Sequence, residues 1–168
     1  MKSQSKKKPI TILMADDDPG DRLLFTDAFA ESCPANDLRF VGDGEELMDY
    51  LYHRGKYANP ADAPRPGIIL LDLHMPRKDG REALKEIKSD PALRQIPVVV
   101  LTTSQAEEDI DASYDLGANS FITKPVTYGA LVEIAKTLGE YWLETVKLPL
   151  NVRSGKDERS PREGAARR

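Results

Sequence analysis

Ile68-Ile69-Leu70-Leu71-Asp72-Leu73-His74-Met75-Pro76-Arg77-Lys78-Asp79-Gly80 is the stretch that decides the fold of this chain. Four apolar residues with no polar alternation predict a strand buried on both faces. Asp79-Gly80 then opens a helical pattern, with Ala83, Leu84 and Ile87 on one face. Asp72 therefore falls at the carboxyl end of a central strand, the edge where open α/β sheets place ligands and chemistry. On this stretch alone, Asp72 is equally well an ordinary first loop residue.

The flanking sequence repeats the same pattern. Thr11-Ile12-Leu13-Met14 predicts a strand, followed by Asp16-Asp17-Asp18-Pro19-Gly20-Asp21. Pro19 suits the first turn of a helix, and the aspartate before it suits the N-cap. Leu24, Phe25, Ala28 and Phe29 recur at helical spacing until Cys33-Pro34. Leu38-Arg39-Phe40-Val41 is a second strand, and a helix through Leu47, Met48, Leu51 and Tyr52 ends near Gly55. Residues 58–67 hold three prolines and predict a long loop. Ser89-Asp90-Pro91 stops the helix after Asp72. Val98-Val99-Val100-Leu101 is another buried strand, followed by Thr102. The acidic helix over 106–116 has only Ala106, Ile110 and Tyr114 as an apolar stripe, which predicts the least firm packing. Ser120-Phe121-Ile122 is the fifth strand. After Thr123-Lys124-Pro125 comes a helix with Leu131, Ile134, Ala135, Leu138 and Trp142 on one face. Five strands alternating with five helices predict a doubly wound α/β fold: a parallel sheet, right-handed crossovers, and the order 2-1-3-4-5.

Composition limits the function. At 168 residues, 40% hydrophobic and 31% charged, the chain fits one soluble domain. A single cysteine, Cys33, excludes an internal disulfide, and two histidines make a structural zinc site improbable. No apolar run reaches the length of a membrane span, and no signal peptide is visible, so a cytoplasmic location is expected. The net charge of −4 is unevenly spread: +4 on residues 1–8 and +3 on residues 151–168 leave −11 between them. An acidic core speaks against nucleic-acid binding, which needs concentrated positive charge. Residues 1–8 and 151–168 are expected to be disordered charged tails, and residues 9–150 the folded domain with an extension over 143–150.

The strand ends now assemble a constellation. Asp16 and Asp17 follow the first strand, Asp72 the third, Thr102 the fourth, and Lys124 the fifth. All fall on one sheet edge. Three clustered carboxylates are stable as anions only beside a cation, and an oxygen-only ligand set points to a hard ion such as Mg²⁺. With Lys124 and the Thr102 hydroxyl, the arrangement suits a phosphoryl group, which Asp72 is placed to attack in line. Singly, each residue has an ordinary account as a cap, a turn residue or a surface lysine. Their convergence on one edge does not.

Asp16-Asp17, the stretch from Leu71 to Gly80, Leu101-Thr102-Thr103, Gly117-Ala118 and Phe121-Ile122-Thr123-Lys124-Pro125 together resemble the receiver domain of bacterial two-component response regulators, which has the flavodoxin-like fold. The resemblance implies that Asp72 is the phosphoacceptor from a histidine kinase. It implies that Asp17, Asp72 and the backbone carbonyl of His74 hold Mg²⁺, with Asp16 acting mainly through water. Thr102 and Lys124 are implied to bind the phosphoryl group, Thr102 and Phe121 to act as the switch pair, and Lys124-Pro125 to form a cis peptide. The stretch from Tyr50 to Tyr57, the Pro-rich insert and the run from Tyr141 to Pro149 look like the single-domain regulators that partner bacteriophytochromes and cyanobacterial phytochromes. That similarity implies a phytochrome-type kinase, a homodimer, and output by docking to a downstream protein. Two other readings carry less. An aspartyl-phosphate phosphatase would want a second acid where His74 stands, and its nucleophile on the first strand. A phosphorylation-independent interaction module would have no need of the intact Asp, Thr and Lys set.

Overall fold

A computed structural model describes residues 10–32, 34–103 and 107–140. Five parallel strands form one sheet in the order β2-β1-β3-β4-β5, as the alternation predicts. They are β1 (Thr11–Ala15), β2 (Asp37–Val41), β3 (Ile68–Leu71), β4 (Val98–Thr102) and β5 (Ser120–Thr123). Between and after them run α1 (Pro19–Ser32), α2 (Gly44–Tyr52), α3 (Gly80–Ser89), α4 (Glu107–Asp115) and α5 (Tyr128–Leu138).

The central strands are buried throughout, which explains their lack of alternation. Alternate residues feed two cores. Leu13, Ile69, Leu71, Val98 and Val100 meet Leu47, Met48, Ala83, Leu84 and Ile87 of α2 and α3. Ile12, Met14, Ile68, Leu70, Val99 and Leu101 meet Phe25, Ala28 and Phe29 of α1 and Leu131, Ala135 and Leu138 of α5. Leu24, expected in the core, is 41% exposed; the buried stripe of α1 runs through Phe25, Ala28 and Phe29, and Leu24 lies at its edge. On α4, Ile110 is half-buried and Tyr114 is exposed, while Ser113 is buried. That is the thin packing its composition predicts.

The helix starts are built by local chemistry. Asp18 Oδ1 accepts from the Gly20 N–H at 2.8 Å, capping α1. Asp43 caps α2 through the Glu46 N–H. Asp79 and Glu82 form a capping box at α3. Helix α2 stops at Tyr52, earlier than Gly55, because His53 turns left-handed at φ 58°. Two short 3-10 turns follow, Gly55–Tyr57 just before the Pro-rich loop and Pro60–Asp62 within it. Ala63 is buried there, and the Tyr50 hydroxyl donates to the Pro64 carbonyl at 2.7 Å.

Two glycines fix how closely the loops meet. A Cβ on Gly44 would lie 2.1 Å from the Lys78 carbonyl oxygen, and one on Gly80 would lie 2.3 Å from that of Asp72. Both neighbours are backbone and cannot rotate away. Gly44→Ala is expected to destabilise the fold by about 2 kcal/mol or more, read as a lower urea midpoint at unchanged slope.

One expectation fails. Among the described residues no peptide bond is cis, and Lys124-Pro125 is trans. The isomers of an X-Pro bond differ by only ~0.5–1 kcal/mol, and the trans bond already brings the Lys124 ammonium to the sheet edge. Trp142 and the extension over 143–150 lie outside the described residues, as do both charged ends.

Candidate functional site

The carboxyl edge of the sheet gathers Asp16, Asp72, Thr102 and Lys124. Parallel pairing does this: Ala15 opposes Leu71, and Thr102 opposes Thr123, so residues that follow neighbouring strands emerge side by side. The ladder continues past the strands. The Asp72 N–H donates to the Ala15 carbonyl at 3.0 Å, and the Lys124 N–H to that of Thr102 at 2.7 Å.

Lys124 is the centre of the charge arrangement. Its Nζ lies 2.6 Å from Asp16 Oδ2, 2.7 Å from Asp21 Oδ2 and 2.9 Å from Asp72 Oδ2. An ammonium has three N–H donors, and each has a carboxylate. Burial by itself would lower the lysine pKa, but the three acids outweigh it and hold it above the ordinary 10.5. Burial also dominates at Asp16, which is fully enclosed, and raises its carboxyl despite the bonds from Lys124 and the Asp18 N–H.

Asp72 is oriented from both sides. Its Oδ1 accepts from the His74 N–H at 3.0 Å, while Oδ2 faces Lys124. Carboxylate oxygens of Asp16, Asp17 and Asp72 lie within 4.8 Å of one another, with Asp17 open to solvent. That donor set fits a hard divalent cation such as Mg²⁺. The His74 side chain is exposed. Thr102 is fully buried, and its hydroxyl has no hydrogen-bond partner among the described residues. Native structures rarely leave such a group unpaired. Phe121 is half-buried against the β3–β4 core.

Two parts of the site escape a reading by strand ends. Asp21 lies in the first turn of α1, not at a strand end. Its signal is helical: Asp21, Phe25 and Ala28 share one face at i, i+4 and i+7, so Asp21 points where the core stripe points. The other part is the loop after β3. Arg77 adopts φ 62°, unusual for a residue with a side chain. Its Nε and Nη2 lie 2.8 and 2.6 Å from Oδ2 of Asp43, which is buried. Burial raises the Asp43 carboxyl, but the Glu46 N–H and the Arg77 guanidinium overcome that and hold it low.

Residues 12–136 match the family model of the response regulator receiver domain, and the chain belongs to that family. The response regulator Rcp1 of Synechocystis sp. is 42% identical over 147 residues, covering 88% of this chain and 98% of that relative. The crystal structure of the phosphorylated cyanobacterial phytochrome response regulator RcpA aligns with a TM-score of 0.78 at 48% identity, over 84% of this chain and 99% of that one. The Mn(2+)-bound form of Rcp1 aligns with a TM-score of 0.76 at 42% identity, over 84% and 99%. No helix among the described residues is long and apolar enough to cross a membrane.

Proposed function

We propose that this chain is a phosphorylation switch that receives its phosphoryl group on Asp72 from a histidine kinase of the phytochrome type. The observation that carries this is the orientation of Asp72: one oxygen is held by the His74 N–H, and the other faces a buried ammonium beside two further acids. The phytochrome link is supported by the likeness to RcpA, a cyanobacterial phytochrome response regulator.

In the transfer, an Asp72 oxygen attacks phosphorus as the bond to the kinase histidine nitrogen breaks. The nitrogen keeps the bonding electron pair. Lys124 shifts from carboxylate to phosphoryl oxygen and neutralises the charge that arrives. Asp16, Asp17, Asp72 and the His74 carbonyl would hold Mg²⁺, which when bound neutralises phosphoryl oxygens; Mn(2+)-bound Rcp1 supports a divalent ion here. The Thr102 hydroxyl, without a partner at rest, gains one in the phosphoryl group. Its inward movement lets Phe121 turn in, and the face of α4, β5 and α5 changes. A downstream protein reads that face by docking. The protein catalyses only its own phosphorylation and dephosphorylation.

The test is transfer from phosphorylated phytochrome-type kinase in Mg²⁺. The chain is expected to gain one phosphate mass, and Asp72→Ala to gain none. Labelling that survives the substitution would overturn the reading.

We also propose that residues 9–150 form the receiver unit, flanked by charged tails, and act in the cytoplasm as a homodimer. Leu143, Val146, Leu148 and Leu150 give the extension an apolar character. Light scattering should show a dimer that Leu143→Asp with Val146→Asp converts to monomer; a monomer in the unsubstituted protein counts against it.

A further inference from the structure

The loop that carries Asp72 toward α3 is fastened at a distance from the acids. Arg77 bridges to Asp43 through two nitrogens. One residue on, the Lys78 carbonyl accepts from the Gly44 N–H at 2.8 Å. The Gly80 N–H then returns to the Leu73 carbonyl at 3.0 Å, closing the loop on itself. The anchor is firm. Asp43 Oδ1 is committed to the Glu46 N–H at 2.8 Å. Glu46 in turn accepts from the Gly42 N–H at 2.7 Å and from the Tyr57 hydroxyl at 2.6 Å. Residues 42–44 thus form a post, braced by Tyr57 from the turn before the Pro-rich insert, and the acceptor loop is tied to it.

We propose that Arg77 is a positioning residue for the acceptor carboxylate. Its bridge to Asp43 fixes the path of residues 73–78, and so the His74 N–H that orients Asp72. The left-handed backbone at Arg77 supports this, because a side chain at φ 62° is held there by something outside the local chain. Glycine adopts that conformation freely. A purely local turn would therefore be served by glycine, whereas the bridge requires the guanidinium.

The inference rests on Asp72 as phosphoacceptor, and its test separates the two claims. The full chain is labelled with acetyl phosphate and Mg²⁺ across saturating concentrations, and thermal unfolding is followed in parallel. Arg77→Met and Asp43→Asn are expected to lower the maximal labelling rate about tenfold, the scale seen when an outer partner of a reactive group is removed. Arg77→Gly is expected to lose rate equally while unfolding at a higher temperature than Arg77→Met, since it frees the left-handed backbone, and Arg77→Lys to recover part of the rate. A maximal rate within about threefold of the unsubstituted protein, in either Arg77→Met or Arg77→Gly, overturns the inference. So does a change confined to the half-saturating concentration, which would make Arg77 a donor-binding residue. If the unsubstituted protein takes no label, it is the phosphoacceptor reading that falls.

Discussion

Lys124→Met is expected to destabilise the fold by about 3 kcal/mol, the scale of removing one partner from a buried ion pair. The reason is the three carboxylates left behind. Asp16 is enclosed and the Asp72 side chain is 10% exposed, so neither is well hydrated once the ammonium is gone. Asp21, at 29%, is the best placed to turn toward water. The variant should regain stability when Mg²⁺ is added, and by more than the unsubstituted protein does. A cation at a hundred times its dissociation constant contributes about 2.7 kcal/mol, and the unscreened acids bind it more tightly. The pH profile should shift as well. A lysine raised in the folded state contributes stability that is complete below its ordinary 10.5 and is lost as pH rises through the folded value. An acid raised in the folded state has the same sign in a lower window: Asp16 costs stability at neutral pH, and that cost fades as pH falls through its raised value. Lys124→Met removes the first dependence and deepens the second, so maximal stability should move to lower pH. Urea midpoints measured across pH, with and without Mg²⁺, check all three outcomes.

Thr102→Val is expected to make the protein more stable and less responsive. The hydroxyl is buried without a partner among the described residues, and leaving such a group unpaired costs roughly 1–3 kcal/mol. Valine keeps the branched shape that suits strand β4. A gain of about 1 kcal/mol is expected, seen as a higher urea midpoint. Phosphorylation of Asp72 should still occur, but with no hydroxyl to draw inward, Phe121 should keep its resting environment on labelling. Side-chain NMR of Phe121 before and after labelling decides this. If both outcomes are observed, stability and switching are opposed at this one atom.

Most of this was legible in the residues. The runs Ile68–Leu71 and Val98–Leu101 are apolar on both faces because the strands are covered on both faces, and parallel order then makes the strand ends neighbours. Asp16, Asp72, Thr102 and Lys124 follow from that alone. The chain is less open about what lies between elements. Asp21 was missed because first-turn aspartates are so often mere favourable charge at a helix start. The Arg77–Asp43 bridge spans 34 positions, and nothing in local periodicity announces it. The Lys124-Pro125 isomer is nearly balanced in energy, so no sequence pattern of a few residues decides it. Leu24 was misplaced because a helical stripe read by spacing has a soft border, and the packing of α1 on the sheet sets where it ends.

The threefold engagement of Lys124 also has a bearing on how the protein is made. A cluster of acids that depended on a metal for neutrality would tie the maturation of the chain to the supply of that metal. Here one counter-charge is supplied in cis, by the residue that follows the last strand of the sheet to leave the ribosome. Part of the neutralisation that the acids need is therefore built into the polypeptide and does not wait on the metal.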